Sequence, residues 1–181
     1  MTRIFNHYDY PEVFIRLMPS GMLPGQVGAF AMKAFKAGEV VVDGQLFEDD
    51  NIMSIEEYRL LDDVRKEMLK AHSTITPDKL FIPANLNYLK TINYFNHSCD
   101  ANVGFDENDS YVATRDVPKN SEFTLDYSFL NTNPDYCMEC KCGSSLCRKV
   151  ITGNDWKNPA FVERYGKYFA STLREELANK I

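Results

Sequence analysis

The sequence predicts a mostly β fold with inserted helices, an α+β arrangement built around one main core. Short apolar or alternating runs are separated by glycine and proline, which is typical of short β-strands. One capping box and one Asn-Pro pair each precede an apolar pattern with helical spacing. At 181 residues, the chain is long enough for one packed domain with a small appendage.

Six short segments have the composition of β-strands, because they are rich in β-branched and aromatic residues. Turn sequences such as Pro24-Gly25 and Ala37-Gly38 separate the first of them. The predicted strands are residues 14–17, 29–32, 40–42, 79–82, 111–114 and 123–127. Residues 107–110 are predicted to form the turn of a hairpin.

A helical segment is predicted between the strands, at about residues 51–72. Ser54 and Glu57 have the spacing of a capping box, in which each side chain accepts a hydrogen bond from the other residue's backbone. Apolar side chains then recur at helical spacing, which indicates an amphipathic helix. These residues are Ile55, Tyr58, Leu61, Val64 and Met68.

A second helix is predicted near the C-terminus, where Asn158-Pro159 resembles an N-cap followed by the first helical position. Every fourth residue that follows is apolar: Phe161, Tyr165, Phe169, Leu173 and Leu177. Packing on the main domain is the favoured interpretation of this face, with a dimer contact or a partner groove as alternatives. The chain is accordingly divided into a main domain, a cysteine-rich segment and a C-terminal amphipathic helix, at residues 1–129, 130–153 and 154–181.

Composition and charge limit the classes of function. The chain has 20 basic and 26 acidic residues, and its net charge of −6 disfavours direct binding to nucleic acid. The groups of acidic residues could instead attract a basic protein segment. No apolar run approaches the length of a membrane span, and the N-terminus lacks a signal-peptide core. We therefore expect a soluble intracellular protein without membrane contact, and the sequence does not choose between cytoplasm and nucleus.

The cysteines favour a metal site. The chain has five cysteines, and four of them lie between Cys137 and Cys147, which without secretion signals favours metal chemistry over disulfides. Cys140, Cys142 and Cys147 supply three thiolates, whereas structural zinc prefers four ligands. Cys137 could complete the set locally, and Cys99 could complete it from a distance. Free or redox-active thiols are the alternative to zinc.

Three polar motifs follow one another along the chain. They are Asn96-His97-Ser98-Cys99, Glu122-Phe123-Thr124-Leu125-Asp126-Tyr127 and Cys140-x-Cys142-x4-Cys147-Arg148. In this order and spacing, the motifs resemble those of the SET-domain protein lysine methyltransferases that carry a post-SET zinc-binding motif. The N-terminal turns Gly28-Ala29-Phe30-Ala31 and Lys36-Ala37-Gly38-Glu39 also resemble that family. The resemblance covers roughly residues 13–153.

The resemblance implies a β-clip fold with a knot-like core, which the Asn96 loop and the strand leading to Tyr127 would form. It also implies that Cys99 supplies the fourth zinc ligand. Zinc would then staple the post-SET segment, residues 130–153, to the Asn96 loop. The implied ligand set is Cys99, Cys140, Cys142 and Cys147.

The activity implied by the resemblance is transfer of a methyl group from S-adenosylmethionine to a lysine ε-amine of a protein substrate. Tyr127 would be the catalytic residue that orients the amine. Leu125 stands where the family usually has phenylalanine or tyrosine, and a side chain without a hydroxyl would permit transfer beyond monomethylation. The implied cofactor-binding residues are Gly28, Ala29, Phe30, Asn93, Asn96, His97 and Tyr127.

The chain departs from the family pattern at several positions. Gln26 replaces the first glycine of the usual Gly-x-Gly, Asn93 replaces a frequent arginine, and Ala101 replaces proline. The alternative hypothesis is a noncatalytic, zinc-stabilised SET-like module that holds a basic protein segment. In either case the expected partner is a lysine-containing protein, with a histone tail as one candidate. The sequence does not indicate an oligomeric state.

Overall fold

A computed structural model describes residues 14–43, 50–85 and 89–178, so parts of the predicted segments 1–129 and 154–181 lie outside the described residues. The strands are β1 (Ile15–Pro19), β2 (Val27–Ala31), β3 (Val40–Val42), β4 (Asp50–Ser54), β5 (Thr74–Ile75), β6 (Lys79–Pro83), β7 (Asn96–His97), β8 (Val103–Phe105), β9 (Tyr111–Ala113), β10 (Thr124–Leu125), β11 (Cys137–Glu139) and β12 (Val150–Thr152). The α-helices are α1 (Ile55–Arg59), α2 (Asp63–His72), α3 (Pro159–Tyr165) and α4 (Ser171–Ala178). The predicted mostly β class with inserted helices is confirmed.

The central sheet has the strand order β3-β9-β8-β10-β7. Strands β8 and β9 form an antiparallel hairpin, and Asp109 in its turn has a φ of 60°, as the predicted turn at residues 107–110 requires. Strand β10 runs parallel to both β7 and β8 and lies between them. A late strand is thus inserted between two earlier strands of the central sheet.

The main core lies under the central sheet and is built largely from aromatic side chains. Phe35, Phe105, Phe123 and Phe129 are each at most 1% exposed. The C-terminal residues Phe161, Phe169 and Leu173 belong to the same apolar cluster. The apolar face of the C-terminal segment therefore packs on the main domain, as the favoured interpretation held.

The C-terminal segment is two short helices rather than the single amphipathic helix that the sequence predicted. Asn158 caps α3 as expected, since its Oδ1 accepts hydrogen bonds from the backbone of Ala160 and Phe161 at 3.0 and 3.4 Å. The helix ends at Tyr165 and is followed by Gly166, a poor helix former that begins a 3-10 turn. The hydroxyl of Tyr168 in that turn donates to a carbonyl oxygen of the hairpin at 3.1 Å. Docking of this turn on the central sheet therefore accompanies the break in the helical pattern.

The inserted segment also differs from its prediction. The Ser54 capping box is present, with both reciprocal hydrogen bonds. However, the residues before it form β4, and the helix ends at Arg59 before Asp62 caps α2. Val64 is 77% exposed and Met68 is 44% exposed, so part of the predicted apolar face points to solvent. A three-stranded sheet with the order β4-β6-β5 accompanies the two helices.

The cysteine-rich segment contains a short antiparallel pair, β11 and β12. Gly153 follows β12 and passes very close to the backbone of Asn133. A Cβ atom at Gly153 would lie 1.7 Å from the Asn133 carbonyl oxygen, so only glycine fits there. This close approach brings the two ends of the cysteine-rich segment together.

Candidate metal centre and active site

Four cysteines from distant parts of the chain meet at one point. Cys99 follows β7, while Cys140, Cys142 and Cys147 lie between β11 and β12. Their Sγ atoms all lie within 4.8 Å of one another, and those of Cys99 and Cys140 are 3.7 Å apart. A tetrahedral site with ~2.3 Å zinc–sulfur bonds has sulfur–sulfur distances of ~3.8 Å. The exposed Cys137 is not in this group, so the fourth cysteine is Cys99.

The surroundings of the sulfur atoms also fit a cation. Burial raises the pKa of Cys99 to about 11 and raises that of Cys140 as well. Burial acts in the same direction on Cys142, but backbone hydrogen bonds and the neighbouring thiols outweigh it and lower the pKa to about 7. Since metal ligands must be thiolates, a cation at this point would stabilise charge that burial otherwise opposes. The four residues could therefore hold zinc as a structural staple.

His97 lies between this cluster and Tyr127. The parallel pairing of β7 and β10 places His97 opposite Leu125. The His97 Nδ1 atom accepts a hydrogen bond from the Tyr127 backbone at 3.2 Å, and Nε2 lies 3.5 Å from the Cys99 Sγ. Burial lowers the pKa of His97 to about 4, so the imidazole is neutral near pH 7 and able to accept.

Tyr127 begins a 3-10 turn, Tyr127–Phe129, directly after β10. Its hydroxyl donates to the Phe95 carbonyl oxygen at 3.2 Å. Burial raises the pKa of Tyr127 to about 12, so the hydroxyl stays protonated at neutral pH. The predicted catalytic side chain is thus a neutral, partly buried hydrogen-bonding group.

Tyr127 and Leu125 line a cavity of about 380 Å³, a size in the range of small-ligand sites. Residues at the end of α2, along β6 and next to β7 contribute much of its lining. His72 Nδ1 and Ser73 Oγ belong to residues of this lining and are buried atoms without a hydrogen-bond partner. Because an unsatisfied buried polar atom costs ~1–3 kcal/mol, this part of the lining favours a polar ligand.

Asn96 and Gly28 meet around the carboxylate of Glu122. The Asn96 amide donates to the Val27 carbonyl oxygen at 3.0 Å and to Glu122 Oε1 at 2.9 Å. A Cβ atom at Gly28 would lie 2.3 Å from the same Glu122 oxygen. The hydroxyl of Ser20 donates to Glu122 at 2.8 Å, which holds the carboxylate in place. The need for glycine at position 28 is therefore explained by contact with Glu122.

The predicted cofactor-binding residues do not all face the cavity. Asn93 and Tyr127 line it, and the Asn93 side chain accepts a hydrogen bond from the Lys90 backbone at 2.8 Å. Gly28, Ala29, Phe30, Asn96 and His97 are described by the structure but are not part of the lining. Ala29 and Phe30 are buried within β2. The cofactor assignment stays a prediction for these residues.

The sequence model of the SET domain matches residues 26–128, more than half of the 181-residue chain. The chain belongs to the SET domain family. Histone-lysine N-methyltransferase 2D of Homo sapiens is 38% identical over 63 residues, which are 31% of this chain and 1% of that relative. The protein of the same name from Mus musculus gives the same values.

The SET domain described here thus spans about 1% of the length of these relatives. Both relatives are named as histone-lysine methyltransferases, so the family includes lysine methyltransferases. The family match ends at residue 128, and the cysteine cluster is therefore defined by the structure rather than by the match. Among the described helices, none is both long enough and apolar enough to cross a membrane.

Arg148 is the residue of this SET domain that sequence reasoning undervalued, because it was noted only as the last position of the cysteine motif. Its Nη1 and Nη2 atoms donate to the two oxygens of Asp126 at 2.7 and 2.8 Å. Its Nε donates to Asp155 at 2.9 Å, and its backbone N–H donates to the Cys99 Sγ at 3.3 Å. The signal in the sequence was the basic residue directly after Cys147.

Proposed function

We propose that this SET domain is an S-adenosylmethionine-dependent protein-lysine N-methyltransferase. The observation that carries the proposal is the position of Tyr127. The tyrosine of the family motif is partly buried, keeps its hydroxyl proton at neutral pH, and lines the cavity together with Leu125. Family membership and the two methyltransferase relatives support the same activity.

In this reaction S-adenosylmethionine, when bound, supplies an electrophilic methyl group. The Tyr127 hydroxyl would accept a hydrogen bond from the substrate amine and so orient its lone pair. Most of the rate would then come from alignment rather than from a strong base. A free lysine has a pKa of ~10.4, and the loss of water around the amine as it enters the cavity favours its neutral form.

The substrate proposed for the cavity is a lysine side chain of a protein segment. Phe95 and Tyr111 contribute apolar surface to the lining, which suits the aliphatic stem of lysine. His72 and Ser73 offer polar groups at the same cavity. A histone tail is one candidate, by analogy with the named activity of the relatives.

Zinc has a structural part in this proposal. Cys99 directly follows the Asn96-His97-Ser98 loop, so a metal bound by the four cysteines would fix that loop to the post-SET segment. His97 then receives the Tyr127 backbone hydrogen bond from a fixed position. The metal would stabilise the active-site frame without entering the reaction.

The second candidate is a noncatalytic SET-like module that binds a basic protein segment. One observation favours it. The Asn96 amide hydrogens are bonded to Val27 and Glu122, and the space above Gly28 is taken by Glu122, so neither residue faces the cavity. Gln26 in place of glycine points in the same direction.

Calorimetric titration with S-adenosylmethionine separates the two candidates. The enzyme proposal expects saturable binding at micromolar concentrations to the zinc-loaded wild-type protein. Tyr127→Phe is the matched variant, because it keeps the ring and should bind the cofactor nearly as well. Absence of binding to a folded, zinc-loaded protein would favour the noncatalytic module.

A further inference from the structure

Arg148 joins the cysteine cluster to the turn that carries Tyr127. Its backbone N–H donates to the Cys99 Sγ. Its guanidinium group forms a bidentate pair of hydrogen bonds with the carboxylate of Asp126, the residue before Tyr127. The Arg148 side chain is 23% exposed, and the Asp126 side chain is 1% exposed. Such a pair is shielded from water, and its planar geometry fixes both partners.

Asp126 passes this constraint to the Tyr127 turn. Its Oδ1 atom accepts a hydrogen bond from the Ser128 backbone at 3.0 Å and thereby caps the 3-10 turn. The same oxygen lies 3.7 Å from His97 Nδ1, which itself accepts from the Tyr127 backbone. The orientation of the Tyr127 backbone therefore depends on the position of the Asp126 carboxylate.

Three further contacts hold the guanidinium group of Arg148. Its Nε donates to Asp155 at 2.9 Å, and its Nη2 donates to the Ser128 hydroxyl at 3.1 Å. Its Cζ lies 4.7 Å from the centroid of the Phe161 ring in α3. From its place in the post-SET segment, Arg148 therefore contacts both the Tyr127 turn and the C-terminal segment.

We infer that Arg148 is a positioning residue that, through Asp126, holds the Tyr127 turn in register with the cysteine cluster. The inference rests on the proposed methyltransferase function, in which Tyr127 orients the amine. A lysine at position 148 would keep the charge but could not form the bidentate pair with Asp126, so the Tyr127 turn would be free to shift. Arg148 itself does not touch the reacting atoms.

Arg174 offers a matched control in the same chain. It also pairs with an aspartate, Asp109, and the two side chains are 25% and 16% exposed. This pair fastens α4 to the hairpin turn and does not contact Tyr127 or the cysteines. Arg174→Lys therefore repeats the chemical change of Arg148→Lys at similar arginine exposure but away from the site.

The test compares wild type, Arg148→Lys and Arg174→Lys in three measurements: zinc content, hydrogen–deuterium exchange over residues 124–130, and kcat with KM for the cofactor. For Arg148→Lys we expect unchanged zinc, faster exchange in that segment, and a kcat lower by about tenfold or more with KM nearly unchanged. A displacement of ~1 Å in a reacting group costs ~100-fold in rate, which makes such a loss reasonable. Arg174→Lys should resemble wild type in all three.

A purely structural role for Arg148 would lower the melting temperature without slowing turnover or loosening the Tyr127 segment, and that result would overturn the inference. If Arg148→Lys does not fold, the isosteric Asp126→Asn carries the same test, with the same expected exchange and kcat. Absence of methyl transfer by wild type would instead contradict the proposed function. The exchange measurement would then still decide whether Arg148 holds the turn.

Discussion

The cysteine corner and the inserted segment are built in opposite ways. We define the cysteine corner as Cys99, Cys140, Cys142, Cys147 and Arg148. Its four sulfur atoms lie within 4.8 Å of one another. The guanidinium group of Arg148 donates four hydrogen bonds, two to Asp126 and one each to Asp155 and Ser128. The inserted segment, taken together with strands β4, β5 and β6, spans residues 50–83. It exposes apolar side chains, and two of its buried polar atoms at the cavity have no hydrogen-bond partner. The cysteine corner is therefore held by many hydrogen bonds, whereas the inserted segment has exposed apolar side chains and unpaired polar atoms.

This difference suggests that the two regions have different functions at the cavity they share. Tyr127 and Leu125 lie on the side of the cysteine corner, the fixed side, where many contacts resist small displacements. His72 and Ser73 stand on the inserted segment and contribute to the same cavity. In a methyltransferase, the fixed side would align the reacting groups, and the inserted segment would adapt to the substrate chain.

The largest expected effect comes from breaking the cysteine corner with Cys99→Ser. Loss of one thiolate should release zinc, weaken cofactor binding and destabilise the fold by about 4 kcal/mol or more. For a chain of this size, such a loss lowers the melting temperature by roughly 10 °C. Elemental analysis and thermal unfolding measure both effects.

Cys137→Ser is the matched control, because Cys137 is exposed and outside the group. It should keep full zinc content and an unchanged melting temperature. Retention of zinc by Cys99→Ser, or its loss from Cys137→Ser, would show that the ligand set is wrong.

Gly28→Ala should have the next largest effect. The new methyl group would push the Glu122 carboxylate away from Ser20 and Asn96, at a cost of about 1–3 kcal/mol. Gly21→Ala in the nearby β1–β2 connection is the control, since a Cβ atom at Gly21 meets nothing within 4 Å. Denaturant unfolding should separate the two variants, and equal stability would contradict the account of Gly28.

Substitution of Leu125 on the fixed side of the cavity should change the number of methyl groups on the product lysine, and this number rather than stability is the quantity measured. The side chain is 5% exposed and lines the cavity with Tyr127, but it has no hydroxyl to restrain a methylated amine. We expect wild type to form dimethyl-lysine or trimethyl-lysine and Leu125→Tyr to stop earlier. Mass spectrometry of the product at saturating cofactor measures this, and strictly monomethylated wild-type product would refute it.

The smallest effect is expected from Val64→Ser on the exposed side of the inserted segment. Val64 is 77% exposed, so its removal should change the free energy of unfolding by less than about 0.5 kcal/mol. Val103→Ser in the central sheet is the comparison, because Val103 is fully buried and should cost several times more. Similar losses from both would mean that the inserted segment is as tightly packed as the core.

Sequence reasoning reached the parts of the site that motifs carry. The grouping of Cys99 with the three post-SET cysteines came from the family resemblance, since spacing alone left Cys137 as an equal choice. The Ser54 capping box and the Asn158 cap were predicted because both depend on neighbouring residues. Local chemistry is visible in sequence even when tertiary contacts are not.

Long-range contacts explain what the sequence did not show. Strand β7 is two residues long, too short for a pattern, and it forms because its parallel pairing with β10 joins distant segments. The break in the C-terminal helix accompanies the docking of Tyr168 on the hairpin. The contact between Glu122 and Gly28 and the bond between Arg148 and Asp126 likewise join segments that are far apart in sequence.

Methyl transfer itself is the most direct test of the account. The zinc-loaded wild-type protein and Tyr127→Phe would each be incubated with labelled S-adenosylmethionine and a lysate of source cells, and methyl-lysine would be measured in the protein hydrolysate. We predict labelled methyl-lysine with wild type and a loss of about tenfold or more with Tyr127→Phe, because the orienting hydroxyl is absent. Equal labelling by both proteins, or no methyl-lysine from a wild-type protein that binds the cofactor, would contradict it.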